Sequence, residues 1–204
     1  MAYNKFKIAD IRDKLHLKVV NNSWLANDLS AFGRDAVLEG LLLEAMKLFL
    51  GSEKARSEFV VTPVLQALNR KNEDKFTIFS GYEFNIDKKE ALNDFCDFIL
   101  SAPANSFLLE APAFFIVETK KTDIDDNAIA QCCAEMYAAR IFNDRAGKPK
   151  NTMYGCATSG FSWAFLKLEN DILYVDPNYV PLTFPNPYNV LATLQWVLDK
   201  SLTN

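Results

Sequence analysis

The sequence has one histidine, His16, and it lies in a charged N-terminal segment. A His-rich zinc site, an HExxH helix and a Ser-His-Asp triad are therefore set aside, and any catalysis has to run on carboxylates and lysines. Glycine is scarce as well. The seven glycines form no GxGxxG, and Gly155 and Gly160 bracket Cys-Ala-Thr-Ser without the lysine that a phosphate-cradling loop requires, which counts against nucleotide-binding folds. Cys96, Cys132, Cys133 and Cys156 include no CxxC pair, so they read as buried thiols. No apolar run approaches the roughly 18 residues that span a bilayer. The longest candidate, Val37 to Leu50, is broken by Glu39, Glu44 and Lys47. Lys5, Lys7, Asp10, Arg12 and Asp13 interrupt the N-terminus where a signal peptide needs an unbroken apolar stretch, so the expectation is a cytoplasmic chain with no membrane partner.

What is present is a globular composition: 204 residues, 50% hydrophobic and 24% charged, with 22 Lys+Arg against 26 Asp+Glu. Neither a repeat nor a linker divides it. The expectation is one domain over residues 1–204, made of an N-terminal helical part (1–51), a central core (52–176) and a Pro-rich arm with a last helix (177–204). Leu38, Leu41, Leu42, Ala45, Leu48 and Phe49 recur at helical steps up to Gly51. A second helix starts near Ser52 and carries Ala55, Phe59 and Val60 inward; Pro63 either kinks it or, with Thr62 as N-cap, opens a new one. The period then changes to strands over 76–84, 94–100 and 113–119, a meander. Thr122 and Asp125 have the capping-box spacing ahead of a helix marked by Ala128, Ile129, Cys132, Met136, Ala139 and Phe142. Short strands follow at 153–157, 162–168 and 172–175. Half of the eight prolines fall between Pro177 and Pro187, an extended arm over the surface, and the last helix begins at Asn186-Pro187. Helices against a mixed sheet make the fold class α/β or α+β.

Charge appears where a core strand should have none. In Pro112-Ala-Phe-Phe-Ile-Val-Glu-Thr-Lys-Lys121, both faces are apolar until Glu118 and Lys120, which share a face at the strand's carboxyl end. On the preceding strand Asp97 is flanked by apolar neighbours, and a buried carboxylate needs a cation or a proton. Two acids and a lysine at a sheet edge suit metal-assisted phosphodiester hydrolysis. Mg²⁺, with Mn²⁺ as a substitute, would take Asp97, Glu118 and the Thr119 carbonyl, while Lys120 orients the attacking water or stabilises charge developing on phosphorus.

Asp97 followed by Glu118-Thr-Lys120 resembles the PD-(D/E)XK signature of restriction-endonuclease-like nucleases, although Cys96 stands where the motif has proline. The resemblance covers roughly residues 52–175. Asp97-Phe-Ile-Leu100, Val117-Glu-Thr-Lys-Lys121, Gln131-Cys-Cys-Ala-Glu-Met136, Tyr154-Gly-Cys156 and Trp163-Ala-Phe-Leu-Lys-Leu-Glu169 are similar to short bacterial members of that superfamily. It implies a mixed central sheet with helices on both faces, an upstream helical acid, best matched by Glu58 with Glu44 and Glu39 behind it, and Gln131 as a polar residue presented by the following helix.

The expected activity is therefore Mg²⁺-dependent hydrolysis of nucleic acid, with DNA ahead of RNA. Two alternatives stand beside it: a non-catalytic interaction subunit of the same fold, and a hydrolase of small phosphate esters. The acidic balance opposes avid duplex binding. Arg140, Arg145, Lys148 and Lys150 as a basic patch, a homodimer, or a partner subunit would each answer that objection, and Trp163, otherwise core, could stack a base.

Overall fold

A computed structural model describes residues 2–184 and 186–203. It is a mixed α/β domain with a central eight-stranded sheet flanked by helices. The strands are β1 (Lys18–Asn21), β2 (Thr77–Glu83), β3 (Phe95–Ser101), β4 (Ala113–Thr119), β5 (Thr152–Thr158), β6 (Ser162–Glu169), β7 (Ile172–Val175) and β8 (Val180–Pro181). Their order is β1-β7-β6-β5-β4-β3-β2, with β8 paired to β6. β2, β3 and β4 form an antiparallel meander, and β5 then returns parallel to β4. That parallel return requires a crossover, supplied by the 20-residue helix α5 (Asp126–Arg145). β4 and β5 lie at the centre, and every residue of both is buried.

The two sheet faces are covered differently. The short α1 (Ile8–Asp13) and α5 pack on the face carrying Ile99, Ile116 and Ala157. The other face, with Phe98, Phe114 and Phe165, lies under α2 (Ala36–Ala45), α4 (Thr62–Lys71) and α6 (Tyr188–Thr203). Two contacts fix α5 on the sheet. Asn143 accepts the Ala113 N–H at 2.8 Å and donates to the Ala113 carbonyl at 2.7 Å, pinning the start of β4. At Gly155 a Cβ would lie 2.5 Å from Met136 Sδ and 3.0 Å from Cys132 Sγ, so glycine lets α5 approach β5 closely. Gly155→Ala is expected to destabilise by about 1–3 kcal/mol through overpacking, read as a lower urea midpoint at unchanged m. An unaltered midpoint would mean that the helix does not press on the strand here.

Several sequence expectations need correction. The N-terminal part is not wholly helical, because β1 joins the sheet edge parallel to β7. α2 stops at Ala45 instead of running to Gly51, so Leu38, Leu42 and Ala45 are buried while Leu41, Leu48 and Phe49 are exposed. Pro63 stands in the first turn of α4, but Thr62 is not its N-cap: the backbone stays helical from α3 (Glu53–Arg56) through a π turn (Ser57–Val61) into α4. The wide turn lets the helix pass a residue that has no N–H to donate. It also shifts the helical phase, turning Val60 and Val61 inward and leaving Phe59 40% exposed. α5 is capped by Asp125, whose side chain accepts the Ala128 N–H, and not by Thr122. The Pro-rich arm is less superficial than expected, since β8 pairs with β6 and Leu182 is buried; Pro185 lies outside the described residues. Among the described residues no helix is long and apolar enough to cross a membrane. All four cysteines are buried and free.

Candidate active site

The antiparallel pairing of β3 with β4 ends at Phe98 opposite Val117. Just past that end, Asp97 Oδ2 accepts the Thr119 N–H at 2.7 Å, so a side chain takes over where the ladder stops. On the other flank the Lys120 N–H donates to the Thr158 carbonyl at 2.7 Å, which carries the β4–β5 pairing one residue beyond the strand. The backbone of residues 118–120 is thus held from both sides, and the alternation of a strand sends the Glu118 and Lys120 side chains the same way.

They meet. Lys120 Nζ donates to Glu118 Oε1 at 2.6 Å and to Gln131 Oε1 at 2.8 Å. Gln131 comes from the second turn of α5, set by the Asp125 cap, and its Nε2 donates to Glu135 Oε1 at 3.1 Å. Glu118 is 3% exposed and Glu135 is fully buried, and each keeps one buried oxygen, Oε2, without a hydrogen-bond partner among the described residues.

The electrostatics follow from three acids crowding one ammonium in a dry place. Burial, and then the charge of Asp97, push the Glu118 carboxyl up to about 8 against the pull of Lys120. Burial raises Asp97 as well, although the Thr119 N–H opposes the shift. Glu135 is driven well above the usual carboxylate range by burial and by Glu118. Burial works against the charge of Lys120, but Glu118, with Glu53 and Glu135 behind it, outweighs burial and the ammonium is held more firmly than usual.

Asp97, Glu118, Lys120 and Gln131 are therefore brought together, whereas Glu58 is not. It is half exposed on the π turn, 3.7 Å from Lys54. The acid that faces the cluster from this helix is Glu53, just inside the Ser52 N-cap; its charge acts on Asp97, Glu118 and Lys120. Glu53 also lines, with Asn4, Lys120, Lys121, Asp125 and Gln131, a cavity of about 280 Å³ at the mouth of the cluster. Sequence reasoning missed Glu53 and Glu135. The signal for Glu135 was its place four residues after Gln131, one turn along the same helix face.

The cations of the basic stretch all lie away from the cluster and each has a partner in the fold. Arg140 pairs with Asp171, Arg145 donates to the Ile86 carbonyl, Lys148 to the Ala111 carbonyl and Lys150 to the Ser201 carbonyl, all beyond the opposite end of α5 from Gln131 or along its last turns. Trp163 is fully buried with its indole N–H on the Gly160 carbonyl, which leaves no face for a base. Compared with models of known families, with curated proteins and with solved structures, the chain matches none.

Proposed function

We propose that this chain is a restriction-endonuclease-like phosphodiesterase that hydrolyses nucleic acid at Asp97, Glu118 and Lys120 with Mg²⁺. The observation that carries this reading is the Lys120 ammonium, held between Glu118 of its own strand and Gln131 of the crossover helix, with Asp97 bonded to the residue between them. The element order adds support: a helix, a three-strand meander, a capped helix and a parallel strand surround the Glu-x-Lys sequence as the resemblance requires.

A divalent cation fits these residues. The Glu118 oxygen that Lys120 does not take is buried and unpartnered, and the available donors are hard carboxylate and carbonyl oxygens. Among the described residues no group of three or more His, Cys, Asp or Glu side chains is placed to hold a metal ion; the ion we propose would rest on Asp97, Glu118 and the Thr119 carbonyl and take the rest of its shell from water and phosphate oxygens. When bound, it would neutralise phosphate charge and ease deprotonation of water, and Mn²⁺ could replace it. Asp97 fixes the end of β4 through the Thr119 N–H. Lys120, steadied by two acceptors, presents its ammonium to the phosphate or the attacking water, and Gln131 keeps it from collapsing onto Glu118 alone.

Labelled single- and double-stranded DNA and RNA, incubated with Mg²⁺, Mn²⁺ or EDTA, test the proposal. DNA cleavage that needs the cation is expected; intact substrates in every tube, with folded protein, would end it. The recess of about 280 Å³, into which Lys120 and Lys121 bring positive charge beside Glu53, Asp123 and Asp125, favours one second reading, a hydrolase of small phosphate esters. Turnover of bis(p-nitrophenyl) phosphate with all polynucleotides left intact would select it.

A further inference from the structure

We propose that Glu135 is a positioning residue of this site, orienting the Gln131 amide so that its oxygen and not its nitrogen meets Lys120; this rests on the reading of Lys120 as the group that acts on phosphate. An amide side chain has a donor end and an acceptor end. Glu135 Oε1 takes the donor end at 3.1 Å, which leaves Gln131 Oε1 to accept from the ammonium at 2.8 Å. With no acceptor at position 135 the amide could reverse, and its NH₂ would then face an ammonium that also only donates. Lys120 would lose one of the two bonds that place it.

A purely architectural role explains Glu135 poorly. The side chain is fully buried, and around it on α5 Ala134, Met136, Ala138 and Ala139 are fully buried too, with only Tyr137 of residues 134–139 partly exposed. One carboxyl oxygen has no partner. Such a group costs stability where a leucine of similar size would pack without an orphaned oxygen. A residue that opposes the local packing beside a reactive cluster marks a place where stability is given up for geometry.

Two variants separate the readings. In Glu135→Leu the melting temperature is expected to stay level or rise, while kcat falls about 10- to 100-fold, the range typical of residues that orient a site from behind. KM should change little. Glu135→Gln keeps an acceptor oxygen for Gln131 and is expected to restore most of kcat. A readout independent of turnover is the ¹⁵N-labelled Gln131 side-chain amide: its solvent exchange should be slow in the wild type and Glu135→Gln and faster in Glu135→Leu. Unchanged kcat in Glu135→Leu, equal loss in Glu135→Gln, identical amide exchange, or a Leu variant that fails to fold each overturns the proposal. If the wild type cleaves nothing, the reading of the site falls instead, and the amide exchange still decides whether Glu135 holds Gln131.

Discussion

Lys120→Ala is expected to lose at least about a hundred-fold in kcat on any phosphodiester that the wild type cleaves, with its fold intact. The magnitude is that of removing one preorganised charge aimed at a transition state. Lys120 meets that description, because Glu118 at 2.6 Å and Gln131 at 2.8 Å fix its ammonium before any substrate arrives. The fold should survive for two reasons. The strand is held through the Lys120 backbone N–H on Thr158, which alanine keeps. Burial and Asp97 already push the Glu118 carboxyl up to about 8, so losing its cation leaves a protonated acid at neutral pH and not a stranded charge. Lys120→Arg keeps the charge but puts a planar fork where a point charge sits between two acceptors, and should recover only part of the rate. Rates equal to the wild type in a folded Lys120→Ala would remove the lysine from the chemistry.

How much of this was legible depended on whether one periodicity ruled a segment. The strands over 77–83, 95–101 and 113–119 announced themselves by β-branched and aromatic runs, and their order exposed Glu118 and Lys120 as charges on an otherwise apolar strand. β1 did not. It is four residues long, its pairing with β7 spans most of the chain, and the partly buried Lys18-Val-Val-Asn21 carries no alternation that stands out from its surroundings. The same holds for the upstream acid. Glu53 and Glu58 belong to one charged helix, and the π turn between Ser57 and Val61, which no local pattern signals, helps decide which side chains face in. Glu58 ends beside Lys54 and Glu53 faces the cluster.

Glu135 was hidden for a different reason. An amphipathic helix reveals its inward face by contrast with its polar one, but α5 is buried at every residue from Ala128 to Met136. With the contrast gone, a buried acid looks like part of a polar stripe. Only the side chain's hydrogen bond to Gln131, which required the helix to be placed against β4, separates it from the solvated charges later in α5.

Between pH 4.5 and 8, Glu118→Gln is expected to gain stability steadily relative to the wild type, by roughly 5 kcal/mol across the window. The sign follows from proton linkage. Folding raises the Glu118 carboxyl from its ordinary 4.5 to about 8, so within that interval the folded chain holds a proton that the unfolded chain has released. Protonated Glu118 therefore contributes its full stabilisation in acid and loses it as pH climbs to 8, after which the curve is flat. Glutamine cannot titrate and lacks that slope. An ordinary ion pair would behave oppositely: Lys120 would depress the carboxyl, the variant would lose ground as pH rose through the acid range, and the difference would be level above about 5. Within the window Lys120 meets a neutral carboxyl in the wild type and a neutral amide in the variant, so that exchange moves the whole curve by a nearly constant amount and leaves its slope as the diagnostic quantity. Urea titrations of both proteins across the window measure it. Millimolar Mg²⁺ adds a second axis, since a cation on Asp97 and Glu118 competes with the proton: it should raise the wild-type melting temperature more at pH 8 than at pH 6 and do little for Glu118→Gln. A level difference between the two proteins from pH 5 to 8, with no response to the cation, would reduce Glu118 and Lys120 to a pair that merely ties a strand to a helix.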